Sequence, residues 1–288
     1  MNLPPLIEIL RSARANRRVS QLALAMSLGV SQRHVSFVES GRAKPSRELL
    51  IAWLRELETP LEQCNAALLA AGYAPAYSSA SLNEAALVPA ITALRVLLSA
   101  HDPWPAFVLD AHWNLIDLNS GARRFASLLT LGSTSIPTSD PGPTSDPGPT
   151  SGTGHAPVNM LDALVAPGGF ARRITNLDEV GPALVARLRR EARAIPGLAH
   201  RAQLVEDMVV AALGPAPLHK AEHSPRTPLL TTQFDTPLGA LAFFSMFTTF
   251  GTPQDITLAS LRVESLFAAD TATSDIWKKS AAEARLTH

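Results

Sequence analysis

The segment Ser31-Gln32-Arg33-His34-Val35-Ser36-Phe37-Val38 gathers side chains able to read nucleic acid. Arginine forks onto guanine O6 and N7, glutamine pairs with adenine, and an aromatic ring can meet a thymine methyl. Wound as a helix, the segment turns Gln32, Arg33, Ser36 and Phe37 outward, at positions i, i+1, i+4 and i+5. Val35 and Val38 then point inward. Gln21, Arg18, Arg42 and Lys44 flank this helix and are placed for phosphate contacts, which position a protein without reading sequence. His34 stands either against phosphate or in solvent. Residue types in this pattern imply a helix laid in the major groove of double-stranded DNA.

Such a helix needs a small scaffold, and residues 3 to 72 supply an all-helical one. Leu6, Ile9 and Leu10 mark a first apolar stripe. Ser20 caps a second helix, with Leu22, Ala25 and Met26 as its expected inward face. Gly29 makes the left-handed corner, and Ser31 caps the reading helix. Gly41 ends that helix. Pro45-Ser46 opens a fourth through Leu49, Leu50, Trp53 and Leu57, and residues 60 to 71 form a fifth. We place this domain at residues 1–75.

Beyond the link 73–81 a helix over about 83–99 is expected, followed by strands at 106–110 and 114–119. Residues 138–149 are the hexapeptide TSDPGP repeated, and the Pro/Gly density of 132–157 implies a disordered insertion. Helical patterns follow around 160–164, 177–194 and 198–213, then strand patterns at 229–235, 238–250 and 256–267. The fold class is α+β: an all-α domain, then a PAS-like domain at 80–270 with about five antiparallel strands. Residues 271–288 read as a loosely ordered tail.

Charge separates these parts. Net charge is zero, yet Arg11 to Arg47 holds eight basic residues against the single acid Glu39, a local +7. A basic segment on a neutral chain is the electrostatic footprint of DNA binding. The longest apolar run, 238–250, is interrupted by Gly239, Ser245, Thr248 and Thr249, so no membrane partner is expected. The first residues do not form a signal peptide, and the lone Cys64 has no partner for a disulfide or metal site, which points to the cytoplasm. No nucleophile elbow, phosphate-cradling glycine loop or metal-spaced histidine set occurs, so neither an enzyme nor a metal or cofactor is expected.

Residues 17 to 57 resemble the Cro-repressor type of helix-turn-helix, the XRE family. Gln21, Ala25, Gly29, Val30, Ser31, Val35, Ser36, Glu39, Gly41, Arg42 and Pro45-Ser46 stand where that family's pattern has them. The resemblance implies that Glu39 is structural. SFVESGRAKPSRELL, LLAAGYAPAY (68–77), HDPWPAFVLDAHWNLIDLN (101–119), NMLDALVAPGG (159–169) and RRITNLDEV (172–180) are similar to the MmyB-like regulators. Leu177 replaces a tryptophan common in that family, and the TSDPGP insertion lies outside its pattern.

The resemblance implies a transcriptional regulator whose PAS-like domain can hold a fatty acid or similar small apolar ligand. Phe107, Leu109, Trp113, Leu115, Phe125, Phe243, Met246, Phe247 and Phe250 either line its cavity or fill an ordinary core. Arg172 and Arg173 either anchor a carboxylate or stand in solvent. A single reading helix makes few base contacts, so a homodimer on a DNA operator is expected. A ligand-free dimerisation or protein-docking module is the alternative for the second domain.

Overall fold

The computed structural model describes residues 6–82, 84–130, 158–216, 218 and 229–286; the hexapeptide repeat lies outside them. It divides into two compact units, one of Met1–Glu84 with Gly251–Ala259, the other of Ala85–Phe250 with Ser260–His288.

The first unit is built from α1 (Leu6–Arg17), α2 (Gln21–Ser27), α3 (Gln32–Glu39), α4 (Arg47–Glu56) and α5 (Leu61–Ala70). Ser20, Ser31 and Ser46 cap α2, α3 and α4, each side-chain oxygen accepting from the backbone N–H three residues on. Each cap satisfies an orphan donor and is worth about 1 kcal/mol. Gly29 turns the chain at φ +66° between α2 and α3. Gly41 turns at φ +75°, where a side chain would be strained, and a Cβ there would stand 2.8 Å from Ile7 Cδ1 and make that side chain shift.

The core of this unit holds Leu10, Leu24, Val35, Leu50, Trp53 and Leu68. The inward face of α2 differs from the sequence expectation. Leu22 and Met26 are 54% and 75% exposed, and Leu24 and Ala25 are buried instead. Two turns of helix carry only a narrow stripe, and packing on α3 and α4 selects which one faces in. Cys64 is buried, its thiol donating to Thr59 O, and burial pushes its pKa up to about 11.

Gly251–Ala259 joins the first unit through the Asp255 carboxylate, through Ile256 N donating to Ser78 O at 2.8 Å, and through Thr257 Oγ1 donating to Ala80 O at 2.7 Å. Asp255 is buried and accepts from Ser78 Oγ at 2.6 Å and Ala80 N at 3.0 Å, while Thr257 N and Leu258 N donate to its other oxygen. Burial pushes this carboxyl up, but these hydrogen bonds prevail and hold it below its ordinary value.

The second unit starts with α6 (Val88–His101), β1 (Ala106–Leu109), β2 (Leu115–Leu118) and α7 (Ser120–Leu129). It continues through α8 (Met160–Val165), α9 (Leu177–Ala194) and α10 (Ala199–Leu213) to β3 (Thr231–Thr236), β4 (Gly239–Thr249), β5 (Arg262–Ala268) and α11 (Thr271–Leu286). The sheet is antiparallel, in the order β2-β1-β5-β4-β3. The last strand therefore enters its centre. Register places Phe107, Glu264 and Phe247 in one row and Leu109, Arg262 and Thr249 in the next, on the same face. Part of the stretch expected as a strand, Ile256–Ser260, is instead a short helix.

The terminal segment is not a loose tail. Thr273, Trp277, Ser280 and Ala281 are buried at helical spacing, while Lys278, Lys279 and Glu283 belong to its polar side. Trp277 is fully buried, donates from Nε1 to Pro103 O at 2.8 Å, and meets Phe125 and Phe243 edge-on. The charges around it mask a stripe that only packing reveals. Trp277→Ala is expected to cost the second unit about 3–5 kcal/mol in urea denaturation; a cost below about 1 kcal/mol would mean that α11 is not part of its core.

Candidate functional site

Helix α3 is held by a buried carboxylate. Glu39, 1% exposed, accepts from Arg14 Nε at 2.6 Å and Nη2 at 2.9 Å, and from Gln21 Nε2 at 2.7 Å. Burial pushes the Glu39 carboxyl up, but the Arg14 and Gln21 hydrogen bonds outweigh it and hold the group below its ordinary value. One side chain thus ties α3 to α1 and to the start of α2. Gln21, expected at a phosphate, commits an amide donor to this junction.

Away from Val35, Val38 and Glu39, the side chains of α3 reach solvent. Gln32 and Arg33 are exposed, while His34, Ser36 and Phe37 are partly so. The guanidinium carbons of Arg33 and Arg42 lie 5.1 and 5.9 Å from the centre of the Phe37 ring. The ring therefore orients two cations at the exposed face of α3. Lys44 lies over Tyr73, its Nζ 4.8 Å from the ring centre, and Arg18 is exposed. The capped helix thus carries an arginine fork, a glutamine amide and an aromatic edge, with Arg42 just beyond its end, side-chain types suited to base edges.

The second unit encloses a cavity of about 420 Å³ between the sheet and helices α7 to α10. Phe107 and Leu109 of β1, Phe125 of α7, Leu184 of α9 and Phe243 of β4 wall it. Its volume falls in the range of small-molecule pockets, roughly 300–1,000 Å³. Among the described residues lining it, only Arg187 and Glu264 carry ionisable side chains.

These two belong to a wider cluster. Arg187 Nε donates to Glu191 Oε1 at 2.7 Å, Trp113 Nε1 donates to Glu191 Oε2 at 2.8 Å, and Arg262 Nη1 lies 3.6 Å from the latter oxygen. Burial pushes the Glu191 carboxyl up, but Arg187, Trp113 and Arg262 together hold it low. Burial pulls the Arg262 guanidinium down, and its buried Nε and Nη2 find no hydrogen-bond partner; its carbon stacks 4.5 Å from the Trp113 ring centre. For Glu264 burial prevails over Arg187, Ser245 and Arg262, and raises the carboxyl.

Residues 91–278 match the family described as MmyB-like transcription regulator ligand binding domain. The chain belongs to the MmyB-like transcription regulators. Residues 10–63 match a helix-turn-helix family, so this MmyB-like regulator couples a DNA-binding domain to a ligand-binding domain. Neither family is one of enzymes. No match to the chain was found among curated proteins. No helix among the described residues is long and apolar enough to cross a membrane, and no three metal-ligating side chains gather among them.

Of the apolar residues singled out in sequence, the cavity brings together Phe107, Leu109, Trp113, Leu115, Phe125 and Phe243. Of the remaining three, Phe250 follows the end of β4 and is not in the lining, and Met246 and Phe247 lie elsewhere, as does Arg172. Met246 is 56% exposed, as β4 alternation turns it to the opposite face. Phe247 is on the cavity face but at its margin, where it stacks on Arg187. Arg172, in the turn Phe170–Arg173, does not line the cavity, because its neighbours Phe170 and Ile174 occupy that wall. The cation in the lining is Arg187, which sequence reasoning missed. Its signal is the Arg187–Glu191 pair one turn apart on an amphipathic helix, which reads equally as a solvated face. In this MmyB-like regulator Arg33→Ala is expected to cost about 1–3 kcal/mol at the operator and relax its sequence preference. Arg42→Ala should weaken all sequences alike. Competition binding on operator and scrambled duplexes checks this, and indistinguishable profiles would overturn the division of roles.

Proposed function

We propose that this protein is a cytoplasmic, homodimeric regulator whose operator binding responds to a single-chain apolar ligand of the fatty-acid class. The cavity carries the ligand reading: about 420 Å³ walled by aromatic and aliphatic side chains, with charge confined to Arg187 and Glu264. Burying a ten-methylene chain gains about 8 kcal/mol at roughly 0.8 kcal/mol per methylene. Immobilising the chain offsets part of this, which leaves room for affinity in the micromolar range. Two reading helices, one from each protomer, match two half-sites one DNA turn apart, which supports the dimer.

Ligand occupancy acts by shifting the population of the DNA-competent dimer, which requires different affinities for the two states. Connectivity supports a route. Strands β4 and β5 carry Ser245 and Glu264, and the chain that joins them, Gly251–Ala259, belongs to the DNA-binding unit. The Asp255 carboxylate supplies the side-chain acceptor that fastens that connection, beside hydrogen bonds from Ile256 N and Thr257 Oγ1.

Native mass spectrometry of the purified protein, followed by analysis of its organic extract, tests the proposal. A dimer with one acyl chain per protomer is expected; a protein that stays empty after incubation with fatty acids would make the second unit a dimerisation module. Asp255→Ala is expected to leave ligand binding and ligand-free operator binding in place and to abolish the effect of one on the other. Titrating operator with and without ligand reads this out, and an undiminished response would remove Asp255 from the route.

A further inference from the structure

The charged end of the cavity is more elaborate than apolar walls require. The Arg187 guanidinium is sandwiched, its carbon 4.2 Å from the centre of the Phe247 ring and 4.7 Å from that of Trp113. Its Nε is pinned by Glu191, and no hydrogen bond or ion pair runs from its Nη nitrogens to a described residue. A guanidinium fixed in this way presents an unused pair of donors, the fork that takes a carboxylate. The second ionisable side chain in the lining, Glu264, sits one register row from Arg262 on the same sheet face, opposite Phe107 of β1 and Phe247 of β4.

A ligand carboxylate and an ionised Glu264 would compete for the same cation. Two negative charges side by side in the lining of an apolar cavity repel, and one of them takes a proton. The other charges facing this point do not relieve the conflict. Arg187 and Arg262 already share Glu191, and Asp110 acts on Arg262 from the end of β1. Ser245 of β4 is the neutral partner of Glu264.

We propose that Arg187 and Glu264 form a head-group site for the carboxylate of a single-chain acid, in which the carboxylate sits on Arg187 while Glu264 carries a proton. The inference rests on the apolar-ligand reading given above and adds the head group and its proton. Where Glu264 is ionised beforehand, it takes one proton from solvent as the acid anion enters. No bond is made or broken besides that O–H.

The linkage has a definite sign. Burial already raises Glu264 in the ligand-free protein, and an anion beside it raises it further. Affinity for the acid is therefore level below the ligand-free value. It falls as pH rises through that value, toward a limit of about tenfold per pH unit for one proton.

Dodecanoate and dodecan-1-ol, titrated into the full chain from about pH 6 to about pH 9 with tryptophan fluorescence as readout, test the site. Wild type is expected to lose dodecanoate affinity as pH rises and to bind the alcohol with little change. Glu264→Gln keeps the neutral shape; it should flatten the dodecanoate profile and exceed wild type at the alkaline end. Arg187→Gln should weaken dodecanoate by about tenfold or more, the worth of a charged hydrogen bond, while retaining the alcohol as its own folding control. A wild-type profile that is level throughout, or Glu264→Gln that weakens dodecanoate at every pH, would overturn the proposal. Failure of both probes to bind wild type would overturn the apolar-ligand reading itself, a separate result.

Discussion

A carboxylate taken out of water must be answered by donors, and both functional surfaces depend on that constraint. Leaving a buried charge with one partner missing costs about 3–5 kcal/mol, so the partners are held where the acid needs them. In the DNA-binding unit the acid is Glu39, and its donors arrive from α1 and α2. The consequence is positional: Glu39 fixes the C-terminal end of α3 against α1 and α2, while Gln32 and Arg33 at its start stay exposed. In the ligand-binding unit the acid is the partly buried Glu191, with donors from α9 itself and from Trp113 in the β1–β2 connection and an ion-pair partner on β5. There the consequence is a charged margin to a cavity that is otherwise apolar.

The antiparallel sheet makes that margin possible by alternation. Along β5 the side chains of Arg262, Glu264 and Leu266 share one face, because successive residues point to opposite sides. The other face carries Phe267, against which His101 of α6 sits edge-on. Inserting β5 between β1 and β4 sets a central charged pair beside Leu109 and Phe107 on one side and Phe247 on the other. An edge strand would have left the same two charges in water, where they would need no partner and bias no ligand.

The two units also meet in the chain itself. The segment between β4 and β5 belongs to the DNA-binding unit and is fastened there by Asp255, again a buried carboxylate answered on both oxygens. Strands that bear the head-group residues are thus covalently continuous with a segment packed in the other unit.

Local patterns in the sequence determined the helix-turn-helix, because caps at Ser20, Ser31 and Ser46, the corner at Gly29 and the outward set Gln32, Arg33, Ser36 and Phe37 each depend on neighbours a few residues away. Period-two alternation also indicated strands and, in the cavity lining, Phe107 and Leu109 of β1, Leu115 of β2 and Phe243 of β4, whereas Trp113 in a connection and Phe125 on α7 lie outside that pattern. Burial across distance was beyond local pattern. The stripe of α2, the packed α11 and the absence of Arg172 from the cavity depend on which neighbours arrive. The charged end is the clearest case. Arg187, Glu191, Arg262 and Glu264 read as solvated charges on an amphipathic helix and a half-exposed strand, the ordinary fate of such residues. Only tertiary structure decided otherwise: it brings α9 to β5 and gathers these four side chains, partly buried, beside the cavity.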